Sequence, residues 1–345
     1  MYGVIYGDIA GSKFEGCYKL CEEDVFVPAT LNHEAVIAGV PAQELVPVPF
    51  SSPTDDSVLT LAVASALMEC RGKNPPEQYD EESVKTAVTK ALRSFGRAYV
   101  GAGYGSRFLD WLYEEEPKPY GSYGNGAAMR VSPAGLIARS EQEARGLGRW
   151  VTEVTHNHPE GVRAGECTAH LAYLAKVGTN KRTIYEVAHG EYGYGIPRLS
   201  KAKAVNTHFD VTCQGCMPVA LACFLESADY LEMFRNAVSF GGDADTIAAI
   251  VGGFGGVYYT LPEWIKRYVE VSLERFDAHV ESVPPLVSVL REFTALPEVR
   301  GTKKVAFEPE FEGHWKDRAC WTPQASFFGQ FVEGLKGLKH PPHVS

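Results

Sequence analysis

Two short stretches, Thr54-Asp55-Asp56 and Asp243-Ala244-Asp245-Thr246, carry the same chemistry: two carboxylates and a threonine hydroxyl ahead of an apolar run. Oxygen donors of this kind suit hard divalent ions such as Mg²⁺ or Mn²⁺, which usually keep several waters. Four carboxylates brought together without a cation would repel one another. Adjacent Asp55 and Asp56 point in different directions on a helix, so they could serve different ions. A pair of ions could orient substrate oxygens and activate a water for hydrolysis. Each stretch also has a plainer explanation. Threonine and aspartate commonly cap helix starts, and negative charge in the first turn suits the helix dipole. The repetition favours ion binding, and the sequence leaves open whether the two stretches meet.

Three other groups of residues could do chemistry. Gly121-Ser122-Tyr123-Gly124-Asn125-Gly126 is a glycine-rich turn before a helix-like run. Small residues let the backbone approach a ligand, and its N–H groups can hold a phosphate; a tightly packed turn is the alternative. Arg130 just beyond it fits a phosphate contact or a structural ion pair equally well. His156 and His158 could both ligate zinc from an extended segment, with Glu160 nearby, although a zinc site needs three or four protein ligands. Cys213-Gln214-Gly215-Cys216 is a lone CxxC, better read as two buried thiols at a helix start than as a metal or redox site. Gly101-Ala102-Gly103-Tyr104 lacks the preceding strand of a dinucleotide fold, and Tyr104 reads as a core residue rather than an adenine platform.

The elements that must position these residues are helices. Apolar residues recur at helical spacing over 56–71, 83–97, 141–151, 162–177, 216–227, 229–239, 245–259 and 262–275, and 276–300 is partly helical. Strand-like alternation is scarce, so the fold class is all-α: one mainly helical domain with long glycine-rich loops at 99–106 and 121–126. The pattern predicts a helical domain over 1–300. From Gly301 aromatics, prolines and charges mix without period, so 301–345 reads as an appended segment.

The bulk properties fit a soluble globular protein. The 345 residues are 45% hydrophobic, enough for a sizeable core. A net charge of −10 argues against bulk nucleic-acid or anionic-membrane binding. The N-terminus shows no secretory signal, and the most apolar stretch, 247–261, is too short to span a membrane. The eight cysteines then read as free thiols, and the expected location is the cytoplasm.

Four motifs in order, GDIAGSKFEG (7–16), TDDSVLT (54–60), YGNGAAMRVSPAGL (123–136) and SFGGDADTIAAIVGG (239–253), resemble the ADP-ribosylglycohydrolase family over roughly residues 1–275. The resemblance implies an all-α fold with two Mg²⁺ or Mn²⁺ ions and hydrolysis of the glycosidic bond at C1″ of an ADP-ribosyl group. By the same resemblance Thr54, Asp55, Asp56, Asp243, Asp245 and Thr246 are metal ligands, and Glu15 or Asp56 moves the proton. Ser122, Gly124, Asn125, Gly126 and His156 contact ADP-ribose. Asp8 falls in a family motif without an assigned role. The partner is ADP-ribose or an ADP-ribosylated protein or other conjugate. Two further readings stand beside this one: a non-catalytic ADP-ribose binder of the same fold, and the zinc hydrolase built on His156 and His158.

Overall fold

Helix signals in the sequence become helices with small shifts at their ends. A computed structural model of the chain describes residues 1–300 apart from Lys19, Asn74, Pro76 and His208; the appended segment expected at 301–345 lies outside the described residues. Helices run over Asp55–Arg71, Glu81–Ala98, Glu141–Glu153, Pro159–Lys176, Cys213–Glu226, Tyr230–Phe240, Ala244–Tyr258, Glu263–Phe276 and Leu286–Ala295. Their starts follow capping chemistry: Asp80 accepts from Ser83 N at 2.8 Å, Ser140 from Glu143 N at 3.1 Å and Asp229 from Glu232 N at 2.9 Å. The fold is mainly helical. Among the described residues the sheet is limited to Phe26–Pro28 paired antiparallel with Leu45–Pro47. No described helix is long and apolar enough to cross a membrane.

Peripheral and central helices differ in how they meet water. Glu81–Ala98 buries Val84, Ala87, Val88, Leu92 and Phe95 along one stripe, as a surface helix does. Asp55–Arg71 buries an unbroken run from Asp56 to Ala64, and Ala244–Tyr258 buries every residue from Ala244 to Gly255. A helix buried on all sides lies inside the core. Each fully buried Leu or Val contributes about 1.5–3 kcal/mol. Both central helices begin at one of the acidic stretches, so the core itself fixes where the carboxylates stand.

Helices the periodicity did not predict also matter. Tyr2–Gly11 is helical, although it is apolar all round apart from Asp8 and carries three glycines. Short helices occupy Ser106–Tyr113, Gly126–Met129 and Ser132–Ile137, next to the two loops expected from their glycines.

Candidate metal centre

The centre begins with a close helix contact. Gly3, Gly7 and Gly11 recur every four residues on one face of the N-terminal helix, and that face lies on the helix Ala244–Tyr258. A Cβ at Gly7 would stand 2.2 Å from Ala248 O, and one at Gly11 would stand 2.3 Å from Asp245 N. Gly252 answers from the other side, where a Cβ would meet Gly3 O at 2.1 Å. Only glycine permits this approach, and it brings Asp8 beside the start of the second central helix.

Asp8 is fully buried and joins the N-terminal helix to the first acidic stretch. Its Oδ2 accepts from Thr54 N at 2.9 Å and Ser57 N at 3.0 Å, and also from the Ser57 hydroxyl. Its Oδ1 accepts from Thr54 Oγ1 at 2.7 Å. Sequence reasoning left Asp8 without a role. The four-residue glycine spacing around it was the available signal.

The two acidic stretches meet. Thr246 Oγ1 donates to Asp56 Oδ2 at 3.2 Å, across 190 residues of chain. Two groups of carboxylates result: Asp8 with Asp56 and Asp245, and Glu15 with Asp243 and Asp245, each with ligand atoms within 4.8 Å of one another. Asp245 is common to both. Asp55 lies alongside, its N–H donating to Ala102 O at 2.8 Å, and Gly103 of the same glycine-rich loop (φ +106°) packs near its carboxylate. The cap explanation covers part of this: Thr54 caps its helix, accepting from Asp56 N at 3.4 Å. Asp243 makes no side-chain cap. It accepts from Asn125 Nδ2 at 2.6 Å instead.

The electrostatics are those of a site short of positive charge. Burial, then Asp8, Asp55, Asp245 and Asp243, push Asp56 well above the usual carboxylate range. Burial, then Asp243 and Asp8, do the same to Asp245. Burial, then Asp8 and Asp243, raise Asp55 to about 8, and burial raises Asp8 to about 6. Asp56 Oδ1 is buried with no hydrogen-bond partner. Two helix N-termini offset part of the negative charge. A divalent cation would neutralise the rest and satisfy the orphaned oxygen, so the donor set fits a hard metal ion.

Glu15 stands at the exposed edge. Its turn is clasped to the second stretch by Gly16 N donating to Gly242 O at 2.7 Å and Gly242 N donating to Cys17 O at 2.8 Å. Gly241 and Gly242 both have positive φ, +75° and +67°, and a Cβ on Gly241 would stand 2.3 Å from Cys17 O. Burial and then Asp243 raise the Glu15 carboxyl.

The glycine-rich loop is anchored at two points and braced within itself. Gly121 N donates to Asn157 Oδ1 at 2.7 Å, Asn125 N to Val211 O at 2.7 Å, and Gly124 N to Ser122 Oγ at 3.2 Å. Asn125 ties the loop to the carboxylates. The loop also packs against His156, since a Cβ at Gly126 would meet His156 Nε2 at 3.2 Å. So Ser122, Gly124, Asn125, Gly126 and His156 form one wall. Arg130 does not reach out as a phosphate contact: it is 1% exposed, packs over the Phe108 ring at 5.6 Å and donates to Thr155 Oγ1. Tyr104 is buried against Phe108, as a core residue is.

The zinc alternative finds no support. His158 caps its helix, accepting from Glu160 N at 3.2 Å, while His156 is buried beside Thr155 and Arg130. Neither belongs to an ion-holding group among the described residues. Cys213 and Cys216 are buried free thiols: Cys213 donates to Gly124 O at 3.0 Å, and Cys216 accepts from Asn125 Nδ2 at 3.3 Å.

Comparison with known proteins bears on this centre. The family model described as ADP-ribosylglycohydrolase matches residues 1–295. The chain is 23% identical to ADP-ribosylhydrolase ARH3 of Mus musculus, over 80% of this chain and 86% of that protein. It is also 23% identical to ADP-ribosylhydrolase ARH3 of Homo sapiens, over 76% and 84%. A solved structure described as an ADP-ribosylglycohydrolase-related protein complex shares the fold, with a TM-score of 0.55 and 23% identity over 85% of this chain and 95% of that one.

Proposed function

Because the chain belongs to the ADP-ribosylglycohydrolase family, we propose that its acidic centre holds two divalent ions, Mg²⁺ or Mn²⁺, and releases ADP-ribose from an ADP-ribosylated protein or other conjugate. The chain is a hydrolase of ADP-ribosyl glycosidic bonds. The observation that carries the metal reading is the contact of Thr246 Oγ1 with Asp56 Oδ2 at 3.2 Å, which gathers the two stretches into one site. Thr54, Asp55, Asp56, Asp243, Asp245 and Thr246 would hold the ions, with Asp8 completing one carboxylate group and Glu15 the other. Bound there, such ions supply the positive charge that orients ribose hydroxyls and polarises a water.

The chain's own residues do the rest. The wall formed by Ser122, Gly124, Asn125, Gly126 and His156 receives the diphosphate and ribose, with backbone approach permitted by glycine. That placement sets the distal ribose at the carboxylates. Of the two carboxylates expected to move the proton, Asp56 is 1% exposed and held by Thr246, while Glu15 stands at the solvent edge. We assign proton transfer to the leaving-group atom on C1″, and from the attacking water, to Glu15 and ion holding to Asp56. A raised carboxyl pKa suits a group that gives a proton to a leaving group and takes one from water. We also assign residues 1–300 as the hydrolase domain, located in the cytoplasm.

The experiment is release of ADP-ribose from a panel of ADP-ribosylated conjugates, with Mg²⁺ or Mn²⁺ and with EDTA. Release that EDTA abolishes, and that Asp55→Asn and Asp245→Asn both lose, is the expected result. Turnover unaffected by EDTA would defeat the metal reading. Ion-dependent ADP-ribose binding without release would make the protein a binder.

A further inference from the structure

The turn that leads into Thr54 contains a residue its geometry does not favour. Ser51 N donates to Val48 O at 3.3 Å, closing a four-residue turn with Pro49 and Phe50 at its centre. Proline in the second position suits type I and type II turns alike, and only the type II turn needs a positive φ at the third position, which glycine or asparagine supplies. Here that position is Phe50, with φ +65°, the one non-glycine residue with positive φ among the described residues. A bulky side chain there is strained. Nothing in the core explains it: Phe50 is 84% exposed, the highest value among the exposed large hydrophobic residues. A strained, solvated ring lowers stability, and strain of this kind tends to persist where it serves function.

Its place points to what it serves. Phe50 precedes Thr54 by four residues. Ser52 N donates to Ser12 Oγ at 3.1 Å, and Lys13 Nζ lies 6.0 Å from the Phe50 ring centroid, so the turn is fastened to the segment that carries Glu15. The glycine-rich loop is fastened elsewhere, to Thr155, Asn157 and Val211. If ADP-ribose lies along that loop with its distal ribose at the carboxylates, the departing group leaves past Glu15 and meets the Phe50 turn.

We propose that Phe50 is a specificity-determining residue whose exposed ring packs on the leaving group, and that this group is the side chain and flanking backbone of an ADP-ribosylated polypeptide. The inference rests on the ADP-ribosyl hydrolysis proposed above. An acetyl group is too small to cover a phenyl ring, whereas a peptide segment can. An oligonucleotide is disfavoured by the chain's net charge of −10.

The test compares wild type with Phe50→Ala, Phe50→Gly and Phe50→Trp in the full-length protein. Three readouts are taken: kcat/KM on an ADP-ribosylated peptide, kcat/KM on an acetyl ester of ADP-ribose, and ADP-ribose affinity by calorimetry. Alanine and glycine should lower kcat/KM on the peptide roughly ten-fold and leave the other two readouts within about two-fold, while tryptophan retains peptide turnover. Glycine should also melt above wild type, because it relieves the positive φ. Equal losses on peptide and ester, or no loss on the peptide, would overturn the inference while leaving the hydrolase reading intact. A Phe50-dependent preference for an ADP-ribosylated oligonucleotide over the peptide would overturn the polypeptide assignment. No turnover of any conjugate by wild type would overturn the hydrolase reading and this inference with it.

Discussion

Asn125 Nδ2 donates to Asp243 Oδ2 at 2.6 Å, and the same nitrogen lies 3.3 Å from Cys216 Sγ. The loop proposed to hold ADP-ribose is therefore fixed to a carboxylate proposed to hold an ion. Asn125→Ala removes that donor and loosens Asp243, which keeps its contacts with Asp245 and Thr246. Groups that orient metal ligands typically contribute 10–100-fold in metal affinity or activity. Calorimetry should show metal affinity lower by about ten-fold or more, with ADP-ribose binding weakened as well. Unchanged metal affinity would mean the loop and the carboxylates act independently.

The raised carboxyls give the metal-free protein an unusual pH dependence. Asp55 titrates near 8 in the fold and near 3.8 in a free side chain. Between those values the folded state binds more protons than the unfolded state, so stability falls as pH rises through the window. Ion binding requires the deprotonated carboxylates, so its stabilising effect grows over the same window. In EDTA the protein should melt at lower temperature at pH 8 than at pH 6, with Mg²⁺ raising the melting point more at pH 8. Asp55→Asn should flatten the EDTA profile. A wild-type profile in EDTA no steeper than that of the variant would contradict the electrostatics described.

Much of this centre was legible in the chain because its chemistry sits at helix starts. Thr54-Asp55-Asp56 and Asp243-Ala244-Asp245-Thr246 stand out by residue type, and the apolar runs after them predict the central helices to within a few residues. That they meet, Thr246 against Asp56, is a property of packing and has no local signal. The N-terminal helix was hidden for a different reason. Apart from Asp8 its residues are apolar or glycine on every side, so no stripe is readable, and glycines 3, 7 and 11 weaken helix propensity. The Phe50 turn runs against local rules, since its positive φ calls for glycine or asparagine where phenylalanine stands.

The same glycines give a stability prediction. Gly7→Ala places a methyl group 2.2 Å from Ala248 O, and Gly11→Ala places one 2.3 Å from Asp245 N. Backbone must move in either case, and overpacking of this kind costs about 1–3 kcal/mol or more. Because the helices that part carry Asp8 and Asp245, metal affinity should fall along with stability. Gly190→Ala is the control, since a Cβ there meets nothing within 4 Å. Urea denaturation with and without Mg²⁺ separates the cases. Gly7→Ala and Gly11→Ala behaving like Gly190→Ala would refute the close helix contact.

Asp8→Asn tests how the first acidic stretch is aimed. Oδ2 of Asp8 accepts from two backbone N–H groups and the Ser57 hydroxyl, whereas Oδ1 accepts only from Thr54 Oγ1 in the described contacts. The asparagine amide therefore turns its NH₂ toward Thr54 Oγ1, where one donor is lost rather than three. Thr54 must then accept from that NH₂ and swing its own proton away. In the wild type the Thr54 proton is committed to Asp8, which leaves for an ion the hydroxyl lone pair that does not accept from Asp56 N. The substitution also removes one buried negative charge from the group with Asp56 and Asp245. Both changes weaken metal binding, by roughly 10–100-fold. Stability without metal should change little or rise, because a charge crowded among carboxylates is lost. Calorimetric titration with Mn²⁺ and a thermal melt in EDTA read the two effects separately. A large loss of metal-free stability with metal affinity unchanged would make Asp8 a purely structural anchor.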